Sequence, residues 1–200
     1  MSGIFFFTEV HKLGTFPHMQ YPNTSLYHIT SCDGGWTPFP AHKYGMEHPN
    51  AGKCYRHHTQ KTYYHKIEKR STHHHPPPNG RWTWTDARAY CRAFQKADSD
   101  LASIQDWRTN DFVTRLAPGT MFWIGAHWVS GSWQWTDGRQ WHYTNWAPGH
   151  PTHTPWHPGT PYVAIGENGV WRDYGDDGPQ FQGVPGIMCQ YTGGEVTRGT

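Results

Sequence analysis

Long apolar runs are missing from this sequence. No stretch of the 200 residues approaches the roughly 18 consecutive apolar residues that a membrane helix needs. The apolar segment from Ile4 to Phe7 is too short, and too poorly flanked by basic residues, for a secretory signal. We therefore predict no membrane span, and a mean hydropathy of -0.84 with 16 Pro and 22 Gly residues indicates a loop-rich fold.

A strong charge of either sign is also missing. The formal net charge is +2 with neutral histidines, which gives no support for a nucleic-acid partner. No residue set resembles a nucleophile with its base, and no pair of carboxylates is placed for hydrolysis. These absences predict a protein that is not an enzyme and needs no cofactor, built as one domain of about 130–160 residues with extensions.

Cysteine is scarce, with four residues in the whole chain. Four cysteines allow three pairings, and their spacing alone does not choose among them. No CxxC pattern is present, which argues against a set of thiols that binds a metal. The cysteine count by itself therefore leaves the pairing open.

Aromatic residues, by contrast, are abundant between Phe122 and Trp146, where the chain reads FWIGAHWVSGSWQWTDGRQWHYTNW. The apolar residues 122–124 followed by Gly125 predict a buried strand that stops at the glycine, where a backbone passes close by or turns sharply. Residues 133–135 alternate with period two, and 137–138 predict a tight turn after them. We expect the indoles of this stretch to form a core, because each large aromatic side chain buries roughly 150–250 Å².

Two helices are predicted upstream of this aromatic stretch. Thr83 followed by Asp86 is a capping-box pattern that begins the first helix, and apolar residues recur at helical spacing behind it. Asp106 caps the second helix, which ends at Pro118-Gly119. Residues 101–104, between the helices, predict a short buried strand.

The ordered motifs WIG, WxWxDG and YTNW, followed by a Pro-containing loop, strongly resemble the C-type lectin-like domain in its long form. The resemblance covers residues 32–191. It implies an α+β fold in which two helices pack on small antiparallel sheets beside a long loop region, linked by disulfides. An N-terminal arm at 1–31 and a C-terminal tail at 192–200 lie outside it, and His- and Pro-rich insertions are expected at about 40–51 and 60–80.

The same resemblance implies how the cysteines pair. CDGGW and GKCY match the two halves of the extra bridge of the long form, which joins Cys32 to Cys54. Cys91 on the first helix and Cys189 in IMCQY match the bridge from that helix to the final strand. Both bridges imply an oxidising compartment, so we expect a secreted, extracellular protein whose signal was removed or lies in a longer precursor. Asn23 opens an acceptor triplet for glycosylation, which is usable on that route.

In sugar-binding members of the family, a loop after YTNW and a WND segment on the next strand hold calcium and sugar hydroxyls together. The matching positions in this chain are His150, Pro151, Thr152, Thr160, Arg172 and Asp173. Only Asp173 keeps its ligand type, and Arg172 brings a positive charge to the position of the cation. Ca²⁺ takes about 6–8 oxygen ligands, several of them charged. Because no acidic residue lies between Gly138 and Pro161, the calcium site is expected to be lost.

The inner loop disulfide of the family is missing as well. Its two positions fall at Tyr162 and about Asp176. Without that bridge, the Pro- and Gly-rich loop is expected to be fixed by packing of Trp146, Trp156 and Tyr162, or by a partner.

Histidine is plentiful, with 16 in the chain. Eight of them, from His42 to His75, lie in or beside the two insertions, and we expect most to be exposed and to titrate near the reference pKa of about 6.5. His150, His153 and His157 lie close together in sequence and offer a Zn²⁺ or Cu²⁺ site, although an exposed His-rich loop without metal is the favoured interpretation.

Two functions compete on the sequence alone. One is an extracellular structural or matrix subunit that assembles with other copies of itself, as a homo-oligomer, through the N-terminal arm and the insertions. The other is a calcium-independent module that recognises an extracellular carbohydrate or protein. The insertions favour the structural subunit, because they are expected to add surface far more than core.

Overall fold

The computed structural model describes residues 29–59, 80–96, 98–154 and 159–196. These segments contain the helices α1 Ala41–Tyr44, α2 Trp84–Arg92 and α3 Trp107–Leu116 and the 3₁₀ helix η1 Pro179–Phe181. Their strands are β1 Ile29–Ser31, β2 Thr37–Pro38, β3 Lys53–Thr59, β4 Asp100–Leu101, β5 Phe122–Val129, β6 Ser132–Trp135, β7 Tyr162–Ile165, β8 Trp171–Tyr174, β9 Gly186–Thr192 and β10 Gly194–Val196. Within these segments, none of the helices has the length and apolar character needed to cross a bilayer.

Eight of the strands form one sheet in the order β2-β3-β9-β5-β7-β8, with β4 beside β9 and β6 beside β5. Neighbouring strands run antiparallel except β5 and β9, which are parallel, with Trp123 opposite Ile187. Parallel neighbours need a long connection, and here the loop region and the β7–β8 hairpin supply it. Because α2 and α3 pack on this sheet, the predicted α+β class is confirmed.

The two ends of the described fold pair with each other. β1 and β10 run antiparallel in a separate two-stranded sheet, with Ile29 opposite Val196. Regular structure therefore extends beyond residues 32–191 on both sides, into the segments predicted as arm and tail. Residues 1–28 and 197–200 lie outside the described residues, and so does the glycosylation triplet at Asn23.

Both predicted helix starts are confirmed by their caps. Thr83 Oγ1 accepts a hydrogen bond of 3.0 Å from the backbone N–H of Asp86. Asp106 Oδ1 accepts one of 2.9 Å from the backbone N–H of Thr109. Each bond satisfies an N–H group that has no partner within its own helix, so the two caps fix where the helices begin.

The strand predicted at 101–104 is shorter than expected. All four residues are buried, but regular pairing with β9 covers only Asp100 and Leu101. The ladder ends because the backbone N–H of Ser103 donates to the side chain of Gln190, at 3.0 Å, rather than to a backbone carbonyl.

The prediction that β5 stops at Gly125 is wrong, since the strand continues to Val129. The close approach of neighbouring backbone is nevertheless present. A Cβ at Gly125 would lie 2.7 Å from Thr136 Oγ1 and 2.9 Å from the carbonyl oxygen of Leu101. Glycine therefore lets two neighbouring segments approach the strand without ending it.

The predicted aromatic core is confirmed and divides into two clusters. One cluster buries Trp135 and Trp171, with Trp133, Trp141 and Trp146 packed against it. The other contains Trp36, Trp82, Trp84 and Trp123, together with the buried cysteines. Two of these indoles also find carbonyl partners, since Trp123 Nε1 donates to Trp82 O and Trp84 Nε1 to Ile124 O, both at 2.8 Å. Large aromatic rings thus supply the apolar area that aliphatic residues supply in other domains.

The expectation that the insertion at 40–51 adds surface far more than core is corrected in part by the structure, because some of its residues are buried. His48 and Asn50 are buried, and the ring of Phe39 stacks on His48 with 4.3 Å between ring centroids. His48 Nε2 lies 2.8 Å from Asp106 Oδ2, and Asn50 Nδ2 donates to Thr109 Oγ1 at 2.7 Å. The insertion therefore docks on the first turn of α3.

Most described histidines beside the insertions are not exposed, contrary to the prediction. His42 is exposed, His57 is half-buried, and His48 and His58 are buried. Burial lowers the pKa of His57 to about 4, so this imidazole does not gain a charge on mild acidification. The second insertion lies outside the described residues up to position 79.

Both predicted disulfides are confirmed. Cys32 pairs with Cys54 at a Cα–Cα distance of 5.8 Å, and Cys91 pairs with Cys189 at 5.3 Å. The first bridge ties the segment before β2 to β3, and the second ties α2 to β9 in the middle of the sheet.

Removing the bridge between Cys91 and Cys189 should lower the free energy of unfolding more than removing the bridge between Cys32 and Cys54. The bridges span sequence separations of 98 and 22 residues, so in the chain-entropy model they contribute about 4–5 and about 3 kcal/mol. Urea unfolding of the two double Cys→Ala variants measures the difference. A larger loss of stability at the short bridge would contradict the chain-entropy model. Peptide mapping that joins Cys54 to Cys91 would contradict the pairing of the cysteines.

Candidate functional site

The candidate site is built on the hairpin of β7 and β8, in which Tyr162 lies opposite Tyr174. Side chains alternate between the two faces of a strand. Trp171 and Asp173 therefore share the inward face and are buried, while Arg172 lies on the other face and is half-buried. The alternation carries a carboxylate into the interior, where it needs hydrogen-bond partners.

The long loop after residue 146 folds over this hairpin. Its backbone is tied to β8 by a hydrogen bond of 2.8 Å from Ala147 N to Trp171 O. His150 N then donates to Ala147 O at 3.0 Å, and the His150–Pro151 peptide bond is cis. This path brings residues 150–153 to the inward side chain of Asp173.

The carboxylate of Asp173 accepts hydrogen bonds from five donors of the loop. They are His150 Nδ1 (2.5 Å), Thr152 N (2.8 Å), Thr152 Oγ1 (2.8 Å), His153 N (2.7 Å) and Thr160 Oγ1 (2.7 Å). A carboxylate offers about four lone-pair positions, so its capacity to accept hydrogen bonds is used up. The side chain has 0% exposed surface, so one buried carboxylate holds the loop to the strand.

The geometry also indicates where the protons lie on His150 and Asp173. We assign a proton to His150 Nδ1, because this atom lies 2.5 Å from Asp173 Oδ1 and an ionised carboxylate can only accept. The 3.4 Å approach of Asp173 N to the same nitrogen is therefore not a hydrogen bond. Burial alone would raise the pKa of Asp173, but the donors from His150, Thr152 and Thr160 outweigh it and hold the pKa at about 2. Asp173 is thus ionised at neutral pH.

His153 gives its backbone to this network and its ring to the core. The buried ring lies 4.8 Å from Trp128 and 5.8 Å from Trp133 between ring centroids. Burial lowers the pKa of His153 even though the nearby Asp173 carboxylate acts in the opposite direction. The expectation that the loop histidines are exposed is therefore wrong for His153, and its imidazole is neutral at pH 7.

Arg172 does not join the residues around the carboxylate. A Cβ at Gly166 would lie 2.8 Å from Arg172 Nη1, so the guanidinium covers the start of the β7–β8 turn. The structure brings together the predicted positions His150, Thr152 and Thr160 around Asp173, with the cis peptide bond at 151 shaping the loop between them.

The two positions of the missing inner disulfide both contact the start of α2. The ring of Tyr162 stacks on Trp84 with 4.2 Å between centroids and 17° between planes. Asp176 Oδ1 accepts hydrogen bonds of 2.8 Å from both the N–H and the hydroxyl of Thr85. Separate contacts with the helix thus hold the two segments that a bridge would join.

Trp146 packs behind the loop, as predicted. Its ring lies 5.7 Å from Trp171 and 5.2 Å from Trp133 between centroids. Trp156, the other tryptophan expected to fix the loop, lies outside the described residues. The buried face of the loop therefore rests on a layer of indoles.

The described part of the chain has no group of three His, Cys, Asp or Glu side chains placed to hold a metal ion. His150 is bonded to Asp173, and the ring of His153 packs between two tryptophans. His157 lies outside the described residues. A zinc or copper site on these three histidines stays the less favoured alternative, and two of its members have other contacts.

Sequence reasoning found most of these positions but missed what they do. Thr152 and Thr160 stand out in the sequence as losses of calcium ligands, whereas in the structure both hydroxyls donate to Asp173. The sequence did contain a sign of these hydrogen bonds. Two hydroxyl side chains, which can donate, stand where sugar-binding relatives have side chains that accept, and Asp173 is the one acid that keeps its position. The backbone donors at 152 and 153 left no signal, since any residue supplies an N–H.

Comparison with known proteins places this geometry in a family. A family model described as the lectin C-type domain matches residues 81–179. A protein named Lectin from Pleurodeles waltl is 33% identical over 122 residues, which cover 58% of this chain and 67% of that protein. Two receptors among the curated relatives are longer, with 28% and 32% of their length matched.

Solved structures give the same result for the fold. The cow C-type carbohydrate-recognition domain of CD23, determined with a GlcNAc2Man3 oligosaccharide, superposes with a TM-score of 0.57 at 23% identity, covering 83% of this chain and 99% of that chain. A calcium-independent type II antifreeze protein also gives 0.57, at 18% identity, covering 85% and 99%. The chain belongs to the family of proteins that contain a C-type lectin domain.

Proposed function

We propose that this chain is a binding domain that recognises an extracellular glycan or protein without calcium and without catalysing a reaction. The observation that carries the proposal is the saturation of the Asp173 carboxylate by five protein donors. The family relationship supports a binding role, and the two disulfides support an oxidising, extracellular location.

Calcium does not fit the residues around Asp173. The ion takes about 6–8 oxygen ligands, several of them charged, whereas the groups that face this carboxylate are N–H and O–H donors. A cation would have to displace five hydrogen bonds to reach one carboxylate. No acid between residues 139 and 160 is available to join it. We infer that the donors of the loop take the place of the ion in ordering this region.

A loop that is ordered without metal can present a fixed contact surface. Pro148, Gly149, Pro151 and Thr152 are exposed along its edge, and His150 is half-buried beside them. A surface that is already ordered loses less conformational entropy when a partner docks on it. The same fold in a calcium-independent antifreeze protein supports the idea that it persists without the ion.

An extracellular structural or assembly subunit, with other copies of the chain as partners, is the second candidate. This function requires the two insertions and the N-terminal arm to expose surface that can contact other copies of the chain. The insertion at 40–51 instead packs His48 and Asn50 into the core, which removes part of that support. The other segments invoked for assembly, 1–28 and 60–79, lie outside the described residues, so the homo-oligomer stays a prediction.

Binding to an array of glycans and extracellular proteins, measured in EDTA and in millimolar Ca²⁺, tests the proposed function. We expect the same ligands to bind equally under both conditions. Thr160→Val removes one donor to Asp173 while keeping the shape of the side chain, so it should weaken this binding. Thr37→Val, on the exposed strand β2, is the matched control and should leave it unchanged. Binding that disappears in EDTA would refute the proposal.

Millimolar Ca²⁺ should not raise the melting temperature of the protein. A ligand shifts the stability of a protein only if it binds the native state, and the donors around Asp173 leave no position for the ion. Differential scanning fluorimetry with and without Ca²⁺ measures the effect. A clear upshift that Asp173→Asn abolishes would show that the carboxylate exchanges its hydrogen bonds for calcium.

Asp173→Asn should lower the free energy of unfolding at pH 7 by about 2 kcal/mol or more. The folded pKa of about 2, against 3.8 for the free side chain, corresponds to about 2 kcal/mol. Because the folded pKa is depressed, this stabilisation is present above pH 3.8 and is lost as the pH falls from 3.8 towards 2. Urea unfolding at pH 7 and at lower pH measures both quantities.

The wild-type protein should therefore lose stability more steeply below pH 4 than the Asp173→Asn variant does. Glu167→Gln, which neutralises an exposed carboxylate in the β7–β8 turn, is the control for loss of charge at pH 7. If Asp173→Asn and Glu167→Gln unfold at the same urea concentration, the buried carboxylate does not anchor the loop.

A further inference from the structure

A cleft of about 620 Å³ lies between α2, the start of β3 and the turn that follows β6. None of the residues around Asp173 lines it. Its lining carries five cationic side chains, Lys53, Arg88, Arg92, Lys96 and Arg139, against three carboxylates. An excess of positive charge from several elements of the fold is gathered in one concave surface.

Three of the cations form a stripe along α2 and the turn after it. Arg88 and Arg92 are four residues apart and share one face of the helix, whereas Lys96 lies in the turn beyond its end. The side chains of Arg88 and Lys96 are 31% and 40% exposed. Arg92 is exposed, and its guanidinium forms no ion pair among the described residues. Lys96 Nζ lies 2.6 Å from Asp33 Oδ2, so within this stripe Arg92 is the cation whose donors face the opening without a carboxylate partner.

The other two cations come from different elements and lie deeper. The side chain of Lys53 is 8% exposed, and its Nζ donates to Thr192 Oγ1 at 2.8 Å and lies 3.6 Å from Asp98. The side chain of Arg139 is 24% exposed, with its Nε 3.5 Å from Asp137 Oδ2. Burial and, next, the positive charge of Arg139 lower the pKa of Lys53. The floor of the cleft thus holds two cations that repel each other.

All three carboxylates are engaged in the structure itself. Asp98 accepts a hydrogen bond of 2.7 Å from Thr192 Oγ1 and lies 3.6 Å from Lys53 Nζ. Asp100 accepts hydrogen bonds from Arg88 Nε at 3.3 Å and from the backbone of Leu101 at 2.7 Å. Asp137 accepts one of 2.6 Å from Ser103 Oγ and one of 2.7 Å from Gln190 Nε2. The three carboxylates thus pair with Lys53, Arg88 and Arg139, which leaves the charge of Arg92 without an ion pair among the described residues.

The helix dipole explains only part of this arrangement. Cations near the last turn of a helix are stabilised by the partial negative charge there, which accounts for Arg92. It does not account for Lys53 and Arg139, which belong to a strand and a turn. An anion supplied from outside would pair with Arg92 and would also reach the partly exposed side chains of Arg88 and Lys96 beside it.

We propose that this cleft binds a sugar that carries sulfate or phosphate esters. Guanidinium groups donate paired hydrogen bonds that match the oxygens of such tetrahedral anions. The volume of about 620 Å³ lies within the range of roughly 300–1,000 Å³ that ligand pockets occupy. Because the cations are spread over three elements, the cleft suits a ligand with more than one anionic group.

Isothermal titration calorimetry in EDTA tests the site with a heparin-derived disaccharide and glucose 6-phosphate as probes. An unsulfated disaccharide serves as the neutral comparison and should not bind. Arg92→Gln should weaken binding by about tenfold, because it removes a charged hydrogen-bond donor. Arg115→Gln is the matched control, since it removes the same charge from a side chain on α3 that is 76% exposed, and it should leave affinity unchanged.

Equal losses from Arg92→Gln and Arg115→Gln would mean that the whole surface charge attracts the anions, and would overturn the proposal. So would the absence of heat with both anionic probes at low salt. Which probe binds more tightly distinguishes sulfate esters from phosphate esters. Calcium-dependent binding on the glycan and protein array would refute the proposed function of the loop and leave this result standing, because the two sites share no residue.

Discussion

A single buried carboxylate holds together the long loop of this domain. Asp173 without its donors would be an uncompensated charge in the interior, which costs several kcal/mol. The donors at 152, 153 and 160 without Asp173 would lose the acceptor that satisfies them. The loop and the strand therefore depend on each other, and this dependence orders a region in which the chain has no cysteine pair to do so.

The support for this carboxylate extends back to the first insertion. His48 and Asn50 contact the first turn of α3, and Asn110 in the next part of that helix accepts a hydrogen bond of 2.7 Å from Trp171 Nε1. Trp171 lies two residues before Asp173 on the same face of β8. A chain of buried polar contacts thus runs from the insertion, through the helix, to the strand that carries the site. The insertion therefore helps to hold in place the strand that carries Asp173.

Features that depend on neighbours in sequence were predictable, and features that depend on distant partners were not. The caps at Thr83 and Asp106 follow from residues within three positions, and the disulfides follow from motifs that the family shares. The burial of His48 depends on Asp106, which lies 58 positions away. The hydrogen bonds to Asp173 likewise require two loop segments to converge on one strand. Composition alone therefore describes a His-rich loop as open surface, although part of it is core.

The pairing of β1 with β10 has a mechanical consequence. The chain enters this ladder at Ile29 and leaves it at Val196, which lie opposite each other at the same end. Tension applied through both ends would peel the strands apart one residue pair at a time, and not shear all the pairs at once. Beyond this short ladder the load reaches Cys32, whose bond to Cys54 passes it to β3 and so to the neighbouring β9. The domain would thus lengthen slightly at low force, when this ladder opens. It would then resist further extension, because the disulfide transfers the load to the central sheet.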